Sequence, residues 1–155
     1  MVSPELLRRY PFFGALNADQ INSIALIADE ITAPAGTKLF EECQPADMFY
    51  MLLEGSVDLS YKSEEEYHPK STKVFSVGDI NPEEIFGVSS LVQPYEYSAA
   101  GTVTKDSRLL RIKAADLRKL LGEDTELGYI FMQQIAKAIM ERLSYTRVQL
   151  AAAWA

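Results

Sequence analysis

The sequence predicts an α+β fold, an antiparallel β jelly roll (double-stranded β-helix) with N-terminal helices before it and a long C-terminal helix after it. Three observations carry that expectation. Apolar residues recur at helical spacing up to about Asp29, give way to short β-branched and aromatic runs from Glu30 to Ile112, and then return to helical spacing. The middle runs are evenly spaced, bounded by turn formers and uninterrupted by helices, as sandwiches and jelly rolls require. The 155 residues suffice for one core, and a hydrophobic fraction of 48% argues against disorder. A single domain is expected, divided into residues 1–29, 30–112 and 113–155.

The elements follow in order. Ser3 suits a helix cap and Pro4 a first helical position. Asn17 with Gln20 three residues on has the spacing of a capping box, so a helix is predicted from about Ala18 to Ala28. Between these, the run from Pro11 to Leu16 is too apolar for a free loop and should pack on the body. The predicted strands are Ile31–Pro34, Thr37–Phe40, Met48–Leu53, Ser56–Tyr61, Lys73–Val77, Ala99–Val103 and Arg108–Ile112. Turns are predicted at Ala35-Gly36, Gln44–Asp47, Glu54-Gly55, Gly78-Asp79 and Lys105–Ser107. The charged stretch from Lys62 to Lys70 reads as a solvated hairpin tip. A short helix follows around Leu117, Leu120 and Leu121, and a long one from about Thr125 to Leu150. The final Ala151-Ala152-Ala153-Trp154 either continues that helix or frays, and Trp154 calls for some contact.

The long helix carries Leu127, Ile130, Phe131, Ile135, Ala138, Ile139 and Leu143 at three- and four-residue steps, with Gln133, Lys137, Glu141, Arg142 and Arg147 on the other faces. At roughly 39 Å, taking about 1.5 Å per residue, it outruns a small roll. Its far end needs a partner, and a twin helix from a second copy with twofold symmetry is the simplest one. The apolar stripe is therefore read as a dimer helix.

Composition narrows the function. The single Cys43 excludes an internal disulfide and fits a reducing, cytoplasmic setting, and the one histidine, His68, leaves too few ligands for a metal site. Cys43 has no nearby histidine to serve as a base, and Asp116, Glu123, Asp124 and Glu126 flank helix starts, where capping explains them. No catalytic residue is assigned. The residues after Met1 do not read as a signal peptide, and no apolar run is long enough to span a membrane. A net charge of −7 opposes attraction to nucleic acid or anionic lipid.

The segment from Ile85 to Val92 offers Gly87 after an apolar pair, then Ser89 and Ser90, with Ser98, Ala99 and Ala100 beyond Tyr97. Glycine would let the backbone approach a ligand, and a short turn would aim amides and hydroxyls at an anion. The same small residues also suit any tight strand-to-helix junction.

In chain order, Pro11-Phe12-Phe13 with Leu16, Ala35-Gly36, the run Ala46 to Val57, Val77-Gly78-Asp79, Ile85-Phe86-Gly87, Ser98-Ala99-Ala100 and the closing helix resemble the cyclic-nucleotide-binding domain family. The resemblance covers nearly the whole chain and implies an eight-stranded jelly roll with a phosphate cassette from about Ile85 to Ala100. It implies a last helix that dimerises and lids the base. It assigns Phe86, Gly87, Val88, Ser89, Ser90, Glu96, Tyr97, Ser98 and Ala99 to a ligand site for a cyclic nucleotide or another small anion. Two positions depart from the pattern. The ribose-holding glutamate after the cassette glycine is Val88 here, and the phosphate-pairing arginine slot holds Glu96-Tyr97. Losing one charge-assisted bond of about 1.5–3 kcal/mol weakens binding roughly ten- to a hundredfold. No helix-turn-helix and no DNA contact are expected within these residues.

Three readings follow. The first is a stand-alone sensor in which a cassette ligand shifts the long helix and an unnamed downstream protein responds. The second is a dimerisation or protein-interaction module that kept the fold without a ligand. The third, a metal-dependent jelly-roll enzyme, is opposed by the lone histidine.

Overall fold

The computed structural model describes residues 1–65 and 68–155. Helix α1, Pro4–Arg8, starts where Ser3 accepts a bond from the Leu6 amide, and a 3-10 turn covers Pro11–Phe13. Helix α2, Ala18–Ile27, opens on the Asn17–Gln20 capping box, with both reciprocal bonds formed at 2.9 and 3.0 Å. The run from Pro11 to Leu16 does pack inward, with Phe13 fully buried and Phe12 edge-on to Phe131 at 5.2 Å.

Among the described residues, six strands build one antiparallel sheet: β1 Ala28–Ala33, β2 Lys38–Phe40, β3 Met48–Glu65, β4 His68–Ile80, β5 Ile85–Phe86 and β6 Ala100–Lys113. Its path runs β1-β6-β3-β4, with β2 added on β6 and β5 on β3. Helices α3, Ala114–Glu123, and α4, Thr125–Trp154, complete the chain. Among the described residues, no helix is long and apolar enough to cross a membrane.

The strands are longer than the sequence indicates. Glu54-Gly55, Gly78-Asp79 and Lys105–Ser107, expected as turns, lie inside β3, β4 and β6. The register slips around Glu54 and Ser56 against β6, and again at Leu59 and Ser60 against Gly78 and Ser76. These are bulges that bend a continuous strand around the corner of the roll, where the extra residue raises local twist. Likewise the stretch expected as a hairpin tip is strand through Glu65 and again from His68. Residues 66 and 67 of that stretch lie outside the described residues.

Strand alternation divides the interior in two. One face of β3, β5 and β6 sends Phe49, Met51, Ile85, Leu110 and Ile112 toward the helices, where they meet Leu7, Ile24, Leu117, Leu127, Phe131 and Ile135. The other face sends Tyr50, Leu52, Phe86 and Leu109 into the roll with Phe40, Tyr97 and Val103.

Helix α4 serves the first of these cores. Leu127, Phe131 and Ile135 are buried there, while Ile130 and Ala138 are half-buried against it. Of the residues read as a dimer stripe, only Ile139 and Leu143 stay exposed, because one face of a helix cannot cover its own domain and a partner at once. The helix is continuous to Trp154, but that side chain is 83% exposed.

Candidate functional site

The cassette begins at the open edge of β5. Gly87 follows with φ +72°, and a Cβ there would stand 3.0 Å from the Met48 carbonyl and 3.3 Å from the Tyr50 ring. Only glycine fits both the left-handed backbone and that approach. Residues Val88–Leu91 then form a 3-10 turn, and the chain leaves through the loop from Val92 to Ala99.

The turn spends some of its polar groups on itself. Ser90 is fully buried, its amide donating to the Gly87 carbonyl at 3.1 Å and its hydroxyl donating to the same oxygen at 2.6 Å. Ser89 is half-buried and, among the described residues, its hydroxyl has no protein partner. The first amides of the turn have no acceptor within it.

The departing loop is tied down along its length. Its backbone pairs with residues 43–46 through Cys43 N–H to Tyr97 C=O at 2.9 Å, Tyr97 N–H to Gln44 C=O at 3.0 Å and Ala46 N–H to Tyr95 C=O at 2.7 Å. Arg118 of α3 lies 4.0 Å over the Tyr95 ring. This strand-like pairing puts Glu96 outward, where it is exposed, and Tyr97 inward, where it is 4% exposed.

Tyr97 enters the roll and stays. Its ring stacks on Phe40 at 4.0 Å, Phe40 on Tyr50 at 5.9 Å, and Tyr50 on Phe86 at 5.0 Å. Its hydroxyl donates to the Met48 carbonyl at 2.8 Å and accepts from the Met48 amide at 3.1 Å. Burial pushes the Tyr97 phenol well above the usual tyrosine range, and burial raises Tyr50 as well. The position that the resemblance reserves for a phosphate-pairing arginine thus holds a neutral ring, bonded to protein through its one polar atom.

The predicted site residues therefore separate. Phe86, Ser90 and Tyr97 are interior; Gly87, Val88, Ser89 and Ala99 are half-buried; Glu96 and Ser98 face water. Val88 packs toward the helical core. The loop brings no cation of its own to an anion and carries the Glu96 carboxylate instead. Among the described residues, no group of three or more His, Cys, Asp and Glu side chains is placed to hold a metal ion.

One residue of the site was not legible in the sequence. Arg142 of α4 reads as a solvent-facing charge, yet it is half-buried and donates to the Ile85 carbonyl, two residues before Gly87. Burial lowers its pKa, opposed by the charge of Glu84. No local pattern marks an arginine whose acceptor lies 57 residues away in the chain.

Comparison with known proteins agrees with this architecture. A family model described as "Cyclic nucleotide-binding domain" matches residues 30–124. A "CRP-like cAMP-activated global transcriptional regulator" of Mycobacterium tuberculosis (strain CDC 1551 / Oshkosh) is 21% identical over 147 residues. That match takes in 95% of this chain and 61% of the relative, so the chain spans about three fifths of the curated relatives it matches. A solved protein of Geobacter metallireducens GS-15 assigned to cyclic nucleotide binding is 39% identical, with a TM-score of 0.79 over 92% of this chain and 99% of that one. A cyclic nucleotide-binding domain from Methylobacillus flagellatus KT shares the fold at 15% identity, with a TM-score of 0.78 over 96% of this chain and 80% of its own. With the family model matching more than half the residues, the chain belongs to the cyclic nucleotide-binding domain family.

Proposed function

We propose that this chain is a regulatory module of its family that works by assembly through α4 and holds its cassette closed without a cyclic nucleotide. The observation that carries this reading is Tyr97, stacked at 4.0 Å on Phe40 and bonded through its hydroxyl to both backbone groups of Met48. An incoming phosphate would have to displace a satisfied aromatic side chain and would gain no arginine in return. The half-buried Val88 offers no carboxylate for a ribose. In thermal-shift assays with cyclic AMP, cyclic GMP and cyclic dinucleotides, the wild-type melting temperature should stay fixed at millimolar ligand. A saturable rise with any of them contradicts the reading.

The assembly part rests on a second stripe of α4. Met132, Ala136, Ile139, Leu143, Thr146 and Leu150 alternate four- and three-residue steps, all exposed, beside the stripe that serves the core. One residue's offset turns this stripe about 100° from the core-facing one. Such a repeat is the seam of a two-stranded coiled coil. Every residue from Leu143 to Ala155 is exposed, so the helix carries this seam past its own body. A second copy supplies an identical seam, which is why a homodimer is proposed. Light scattering should give twice the mass of one chain. Leu143→Glu should return it to monomer, raising the dissociation constant by about a hundredfold or more by placing two carboxylates across the seam, with far-UV circular dichroism unchanged. A monomeric wild type, or a variant that stays dimeric, overturns this part.

A further inference from the structure

The core-facing stripe of α4 runs Leu127, Phe131, Ile135, Ala138 and then Arg142, so its last member is a cation and not an apolar residue. From Ile139 to Ala155, Arg142 alone is not exposed, which makes it the last point at which the helix meets the body. What it meets is the Ile85 carbonyl. Strand β5 pairs with β3 on one side, where Leu52 N–H donates to Glu84 C=O, so the polar groups of Ile85 point to the open edge. A carbonyl at a sheet edge needs a donor, and a half-buried cation needs an acceptor. Each satisfies the other here. Glu84, one residue before Ile85, adds attraction from farther off.

We propose that Arg142 is the positioning residue that locks α4 to the cassette strand, so that the helix beyond Ala138 and the Gly87 turn hold one common place. Moving α4 along its axis or rotating it would break the bond to Ile85 and release the edge from which the turn springs. Displacement of the turn would likewise free the helix. The bond therefore couples the outer half of α4 to the cassette with no ligand between them, and a protein that grips the helix alters the turn. The coupling stands on contacts within one chain and holds whether or not a second copy covers the outer seam.

Hydrogen exchange by mass spectrometry on the full chain tests it at a concentration where every variant has the same molar mass. In Arg142→Gln, amides over residues 85–91 and over 138–146 should exchange faster together, by about ten- to a hundredfold, the effect of one charge-assisted bond. Amides of the β3–β6 pairing around Leu52 and Leu109, which report global opening, should not change. Arg142→Lys keeps the charge without the planar fork and should recover part of the protection in both segments. A change confined to α4, a change confined to the turn, or equal protection in wild type and Arg142→Gln overturns the proposal. So does a uniform rise that includes the β3–β6 amides in both variants, which would make Arg142 a general stability residue. A monomeric wild type would sink the dimer reading and leave this outcome intact.

Discussion

Replacing Gly55 by alanine is expected to remove about 2–6 kcal/mol of stability, a large part of what a domain of this size has. Two costs add. Gly55 has φ +109°, a backbone that side chains rarely adopt, and strain of that kind costs about 1–3 kcal/mol. A Cβ there would also stand 2.1 Å from the Ser107 hydroxyl, 2.7 Å from its Cβ and 2.8 Å from its Cα, so the backbone of β6 has to move and not merely a side-chain tip. Overpacking of this sort costs about 1–3 kcal/mol more. The corner is held by the Ser56 amide donating to the Ser107 hydroxyl at 3.2 Å, and that bond is lost as the strands separate. In urea titrations the midpoint should fall steeply with the slope little changed. A loss below about 1 kcal/mol would mean that the corner relaxes freely and that the bulges do not fix the path of the roll.

The second large effect is expected at Tyr97. Its truncation to alanine opens a hole in the aromatic stack and strips the Met48 backbone of its partner, a combined loss of about 3–5 kcal/mol. Tyr97→Phe keeps the ring and removes only the hydroxyl. It should cost about 1–3 kcal/mol, because the half-buried Met48 amide is left unpaired. The pH dependence follows from the raised phenol. Because the folded state holds the Tyr97 proton more tightly than the unfolded chain, this contribution is complete below the ordinary tyrosine range, near pH 10, and is lost as pH climbs above it. Tyr97→Phe should therefore show a shallower alkaline loss of stability than wild type. Equal slopes would place the alkaline titration elsewhere, with Tyr50, also raised by burial, the next residue to substitute.

Much of the fold was legible in the sequence because its signals are local. Ser3 and the Asn17–Gln20 pair cap the helices they announce, since a cap depends on residues three positions apart. The corners were misread for the opposite reason. Gly55, Gly78 and Ser107 are turn formers, and whether such a residue reverses a chain or bulges it depends on a partner strand far away in sequence. The α4 stripe shows the same limit. Leu127, Phe131 and Ile135 and the exposed Ile139 and Leu143 merge into one apolar period on paper, and only the packed body separates the face it uses from the face it leaves.

At the candidate site, Gly87 and its turn were foreseen, since the positive φ and the close approach to Met48 demand a glycine. The choice between Glu96 and Tyr97 was settled by pairing with residues 43–46, which no local pattern announces. Phe40 and Tyr50 read as ordinary strand residues, and their part in filling the roll follows only from the stack they share with Tyr97 and Phe86. Arg142 was hidden by its own chemistry, because a charge between exposed neighbours on a helix reads as solvated.

The most direct test of the closed cassette is calorimetric titration of cyclic AMP and cyclic GMP into the wild type and into the double variant Val88→Glu/Tyr97→Arg. The account predicts no saturable heat from the wild type and measurable binding once the carboxylate and the guanidinium stand beside Gly87. Micromolar binding by the wild type would contradict it, since a nucleotide would then be entering a space that Tyr97 is held to occupy.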